Sequence, residues 1–130
     1  MTAAPKPRKR KAVRRKAAAI SIKRVYEPVS AKDGLRILVD RLWPRGLSKA
    51  SLDYDAWVRD LAPSNALRKW YGHEPARFAE FRRRYRAELA GHRDELAALR
   101  AKLKGRRSTL LTSTREVDLS YATVLRQLLK

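Results

Sequence analysis

The 130-residue chain has no cysteine. That excludes a disulfide framework, a zinc–thiolate site and a cysteine nucleophile, and it suits a reducing compartment such as the cytoplasm. No apolar run approaches the roughly 18 residues that a membrane span needs. The N-terminus carries cations but no apolar h-region, so it does not read as a secretory signal. The two histidines, His73 and His92, each stand alone. Neither has a second ligand at metal spacing, and no metal or other cofactor is expected.

Acidic residues are scarce. Thirteen Asp and Glu face thirty-two Lys and Arg, a net charge of +19. Residues 1–24 hold ten of the cations and none of the acids. A surface of this sign condenses on polyanions by releasing their counterions. Residues 1–20 also lack hydrophobic periodicity and contain Pro5 and Pro7. They cannot bury enough apolar area to offset their ordering entropy, so they read as a disordered basic tail ahead of a domain over 21–130.

From Ser21 the patterns change. Ile22, Arg24 and Tyr26 alternate with Lys23 and Val25 as in a short strand, and Lys32-Asp33-Gly34 reads as a turn. The Leu35–Asp40 run is almost continuously apolar, which fits a strand covered on both faces. Ser51–Asp60 reads as a short helix from the spacing of Leu52, Ala56 and Leu61. Ser64 reads as the N-cap of the next one. The clearest helix runs from about Pro75 to Leu89, with Phe78, Phe81, Tyr85 and Leu89 as one stripe. Glu80–Arg84 and Arg84–Glu88 pair along its wet side. Leu96, Leu99 and Leu103 continue the helical pattern, Thr109–Thr114 is β-prone, and Asp118 is positioned to cap a last helix. The order predicts an α/β fold: a small, mostly parallel sheet flanked by helices.

Two loops are candidates for chemistry. Asp40-Arg41-Leu42-Trp43-Pro44-Arg45-Gly46 follows the best strand, and ligands of open α/β sheets bind beyond the carboxyl ends of strands. Arg41 and Arg45 suit a carboxylate or phosphate, and Asp40 is the candidate proton-handling group or the partner that orients an arginine. Thr112-Ser113-Thr114-Arg115 joins the last strand to the last helix and offers hydroxyls, backbone N–H groups and a cation, without the glycines of a P-loop. Arg68 completes the candidate anion pocket. The alternative partner is nucleic acid. It would be held non-specifically by Arg8, Lys9, Arg10, Lys11, Arg14, Arg15 and Lys16 of the tail, and by the helix cations Arg82, Arg83 and Arg84.

Several segments together resemble one family. They are Val39-Asp40-Arg41-Leu42-Trp43-Pro44-Arg45-Gly46, Asp60-Leu61-Ala62-Pro63-Ser64 with Leu67-Arg68-Lys69-Trp70, and Phe81 through Leu89, opened by Arg24-Val25-Tyr26. Over about residues 22–130 the chain is similar to the YeaO-like proteins, domain of unknown function 488. The resemblance implies an α/β fold and supplies no reaction. It also implies a difference. Family members tend to carry an acidic stretch with His-Asn before the last helix, where this chain has Asp118, Leu119, Ser120 and Tyr121.

Overall fold

Ser108–Thr112 is the strand around which the sheet is built. All five of its residues are buried, as its run of hydroxyl and leucine side chains requires of a strand covered on both faces. The computed structural model describes residues 19–130; the tail cations and the expected disorder of the tail lie outside them. The described residues form four strands: β1 (Ile20–Arg24), β2 (Leu35–Leu38), β3 (Ala56–Trp57) and β4 (Ser108–Thr112). Their order is β1-β4-β2-β3, and every pairing is parallel. β4 sits between β1 and β2, with Leu110 opposite Ile22 on one side and Ile37 on the other.

The helices are α1 (Asn65–Tyr71), α2 (Phe78–Ala90), α3 (Arg93–Leu103) and α4 (Tyr121–Leu129). All four put their apolar stripes into one core with Ile37, Val39 and Leu110. The stripe of α2 is the expected one, with Phe81, Tyr85 and Leu89 buried. Fully burying each such side chain is worth roughly 1.5–3 kcal/mol, so this core carries most of the fold's stability.

Among the described residues no α-helix packs on the opposite face of the sheet. Leu38 and Leu111, one residue out of phase with Ile37 and Leu110, pack there with Val25 and Leu52 under Trp43, Tyr54 and Trp57. The segment from Val25 to Gly34 also crosses this face and pins it with charge. The Asp33 carboxylate accepts from Lys23 Nζ (2.9 Å), from the Ser30 N–H (3.0 Å) and from Arg36.

Three local expectations change. Ser51–Asp60 is not a helix: it holds the two residues of β3, which the Asp55 N–H and Val58 N–H bond to the Arg36 and Leu38 carbonyls of β2 at 2.7 and 2.9 Å. Asp55 and Val58 take their backbone partners from the sheet, and only Arg59–Leu61 closes a helical turn, a 3-10 one in which the Leu61 N–H donates to the Val58 carbonyl at 2.9 Å. Arg84–Glu88 is not a pair, because Glu88 turns inward to Ser64. Asp118 caps nothing. It lies in a single 3-10 turn, Val117–Leu119, and α4 starts from Ser120, whose hydroxyl donates to the Val117 carbonyl instead. Ser64 is the N-cap of α1, accepting from the Leu67 N–H at 3.1 Å. β1 starts at Ile20 and the regular part of α2 at Phe78, small shifts from the expected boundaries.

Candidate functional site

β2 and β4 are neighbours, and their continuations leave in opposite directions. After β2 the chain passes to the loop-covered face, and after β4 it passes to α4 on the helix face. A crevice opens where neighbouring strands diverge in this way. Here it is a cleft of about 590 Å³ at the carboxyl edge of the sheet.

Asp40 lies at the cleft and is 6% exposed. Its Oδ1 accepts from the Thr112 hydroxyl (2.8 Å) and from the Tyr121 hydroxyl. Its Oδ2 accepts from the N–H (2.8 Å) and the hydroxyl (2.7 Å) of Ser113. A carboxylate has about four acceptor positions, and all four are taken by protein donors. Burial pushes the Tyr121 hydroxyl well above its ordinary range, and the neighbouring Asp40 charge pushes it further, so Tyr121 stays a donor. The backbone carbonyl of Asp40 accepts from the Trp57 indole at 2.7 Å. Asp40 therefore ties β2, β4, α4 and β3 together.

Four arginines line the same cleft: Arg41, Arg45, Arg68 and Arg115. Arg41 donates from Nε to the Pro63 carbonyl (3.1 Å) and from a terminal nitrogen to the Ala62 carbonyl (3.0 Å). Arg68 donates to Asn65 Oδ1 at 2.8 Å, while its own Nε is buried and meets no acceptor among the described residues. Arg45 and Arg115 are exposed and form no ion pair among the described residues. Besides Asp40, Glu116 is the one acid on the lining.

Of the residues read from the sequence, Asp40, Arg41, Arg45, Arg68, Ser113, Thr114 and Arg115 share this lining, and Thr112 does not. Thr112 is fully buried beneath it and is spent on Asp40. The lining also holds residues that the sequence reading leaves to the core or to loops: Trp43, Tyr71, His73, Phe81 and Tyr121. Trp43 stands edge-on to Tyr54 and Trp57, with centroids 5.6 and 5.5 Å away, and turns its remaining surface to the cleft. His73 is the one described non-glycine residue with positive φ (59°), directly after Gly72 (54°), which ends α1. A histidine beside a helix-terminating glycine was the available signal for it.

The helix cations are arranged differently. Arg83 and Arg84 both pair with Glu80, at 2.6 and 2.7 Å, and Arg84 also lies 4.3 Å from the Trp70 ring centroid. Hydrogen bonds from the two guanidiniums hold the Glu80 carboxyl down at about 2. Arg82 is exposed and unpaired among the described residues. No group of three potential metal ligands occurs among the described residues.

Residues 19–130 match the family model described as "Inactive DUF488-N3 subclade". The chain belongs to this family. It is 47% identical over 111 residues to uncharacterized protein Rv3073c of Mycobacterium tuberculosis, covering 85% of this chain and 92% of the relative. It is 45% identical over 106 residues to uncharacterized protein YeaO of Escherichia coli, covering 82% and 92%. No solved structure matches the chain. Membership in the YeaO-like group fits the similarity seen in the sequence motifs.

Proposed function

We propose that the cleft at the carboxyl edge binds a small ligand bearing a carboxylate or phosphate, and that it does so without proton transfer by Asp40. One observation carries this reading: four arginines line the cleft against two acids, and the buried one, Asp40, is already saturated. A guanidinium in a partly desolvated cleft is a strong, directional anion donor. A general base needs a free lone pair within reach of the proton it takes. Asp40 has none to offer, and the family description carries the word inactive. Asp40 thus acts as scaffold for the arginine-bearing loops.

The cysteine-free composition is the ground for proposing the cytoplasm as its place of work. No helix among the described residues is long and apolar enough to cross a membrane.

The test is titration calorimetry of the full chain with inorganic phosphate and with succinate at physiological salt. Arg45→Gln and Arg115→Gln remove exposed cations that support no packing. Each is expected to weaken binding by about tenfold, the usual worth of one charge-assisted hydrogen bond. Anion binding that is identical in the wild type and the double variant would place the site elsewhere and end this reading.

A further inference from the structure

We infer that the ligand of this cleft is an aromatic phosphate of mononucleotide size, an inference that rests on the anion-binding reading above. Three observations narrow the class. The first is size. About 590 Å³ is the volume of a site for a whole small molecule, far more than a bare oxyanion fills. The second is the lining. Trp43 and His73 share the cleft with the arginines, over a floor that includes the buried Phe81. Aromatic walls give nothing to an inorganic anion, but they stack on a planar ring, and every nucleobase has such a face.

The third is Arg68. Its Nε is closed off from solvent, so a ligand in the cleft meets its terminal nitrogens, one of which already donates to Asn65 Oδ1 at 2.8 Å. Arg41 is fastened to the Ala62 and Pro63 carbonyls just ahead of α1, and Arg68 to Asn65 in its first turn. Both guanidiniums are therefore anchored at the start of the same helix. With Arg45 and Arg115 they make four positive charges against Asp40 and Glu116 on the same lining, a surplus of two, which is more than one carboxylate uses. A phosphate monoester, with charge approaching −2 and three terminal oxygens, matches it better. His73, held in a left-handed conformation on the lining, is suited to contact the ring.

The experiment compares AMP, adenosine and ribose 5-phosphate as ligands of the full chain at physiological salt, by calorimetry and by amide chemical-shift mapping. AMP is expected to bind at least about tenfold more tightly than either fragment, with shifts on the 40–46 and 113–116 loops. Arg68→Gln is expected to cost AMP and ribose 5-phosphate about tenfold each and to leave adenosine unchanged. His73→Ala, at an exposed position whose ring centroid lies 6.1 Å from that of Tyr71, is expected to weaken AMP and adenosine while sparing ribose 5-phosphate. Equal affinity for AMP and ribose 5-phosphate overturns the aromatic part and leaves the anion reading standing. AMP binding that survives Arg68→Gln, with shifts outside those loops, overturns the assignment to this cleft. Failure of all three, with phosphate and succinate failing too, overturns both.

Discussion

The Glu88 carboxylate on α2 receives both the backbone N–H of Ser64 (2.9 Å) and its hydroxyl (2.6 Å). Ser64 in turn caps α1 by accepting from the Leu67 N–H. One acid on a neighbouring helix thus completes a capping arrangement that is usually local to one turn. Helix α1 carries Arg68, so this contact also sets one wall of the cleft.

Glu88→Ala leaves the Ser64 N–H without its acceptor and is expected to lower stability by about 1–2 kcal/mol. Ser64→Ala is expected to cost a similar amount, and the double variant less than the sum of the two, because they remove one shared network. Urea denaturation of the four proteins measures it. Strict additivity would mean that the two side chains act independently.

Asp40→Ala strips the acceptor from four donors on two segments of chain, Thr112–Ser113 and Tyr121. We expect a loss of about 3 kcal/mol and a clear fall in Tm. Asp40→Asn keeps one acceptor oxygen but turns an amide N–H₂ toward other donors, so its loss is smaller but still measurable. Thermal unfolding reads both. An Asp40→Ala protein as stable as the wild type would remove Asp40 from the scaffold.

The parts of this architecture that were legible in the sequence are those whose signal is local. Ile37, Leu38 and Val39 announce a strand buried on both faces, and Phe81, Tyr85 and Leu89 announce one face of a helix. Asp40, Arg41 and Arg45 could be placed at a strand's carboxyl end for the same reason. Ser51–Asp60 was illegible because β3 has two residues, and a two-residue strand has no period; the spacing of Leu52, Ala56 and Leu61 imitates a helix by coincidence. The partners of Glu88 and Asp40 were hidden for another reason. Tyr121 reaches Asp40 across 81 positions of sequence, and only the pairing of β2 with β4 brings them together.

Asp33 predicts an acid limit. Burial pushes its carboxyl up, but the hydrogen bond from Lys23, the Ser30 N–H, the hydrogen bond from Arg36 and the Lys23 charge outweigh that and hold it below its ordinary 3.8. A carboxyl lowered in the folded state binds its proton more readily when unfolded. Its contribution is therefore complete above the ordinary value and is lost as the pH falls through the lower, folded one. Asp33→Asn is expected to flatten the decline of unfolding free energy below about pH 4, measured by denaturant titration over a pH series. An unchanged slope would assign the acid sensitivity to other groups.

Gly34 predicts a steric limit. It has φ of +66°, and a Cβ built on it would lie 2.0 Å from the Arg107 carbonyl oxygen. That oxygen accepts the Leu35 N–H at 3.0 Å, at the entry to β2. Gly34→Ala must displace backbone at the start of two adjacent strands and is expected to cost more than about 2 kcal/mol. A chemical denaturation midpoint within error of the wild type would show that the turn relaxes freely.

The central place of β4 also fixes a timetable. β1 and β2 never touch as partners; each waits for the strand between them, and Ile20 finds Ser108 only after most of the polypeptide exists. A chain emerging from the ribosome can pair β2 with β3 and coil α1 to α3, but it cannot close the sheet until residues near 112 are free. The same strand ends at Ser113, whose N–H and hydroxyl complete the shell around Asp40. The cleft is thus among the last features to be made, and a prematurely ended chain lacks it altogether.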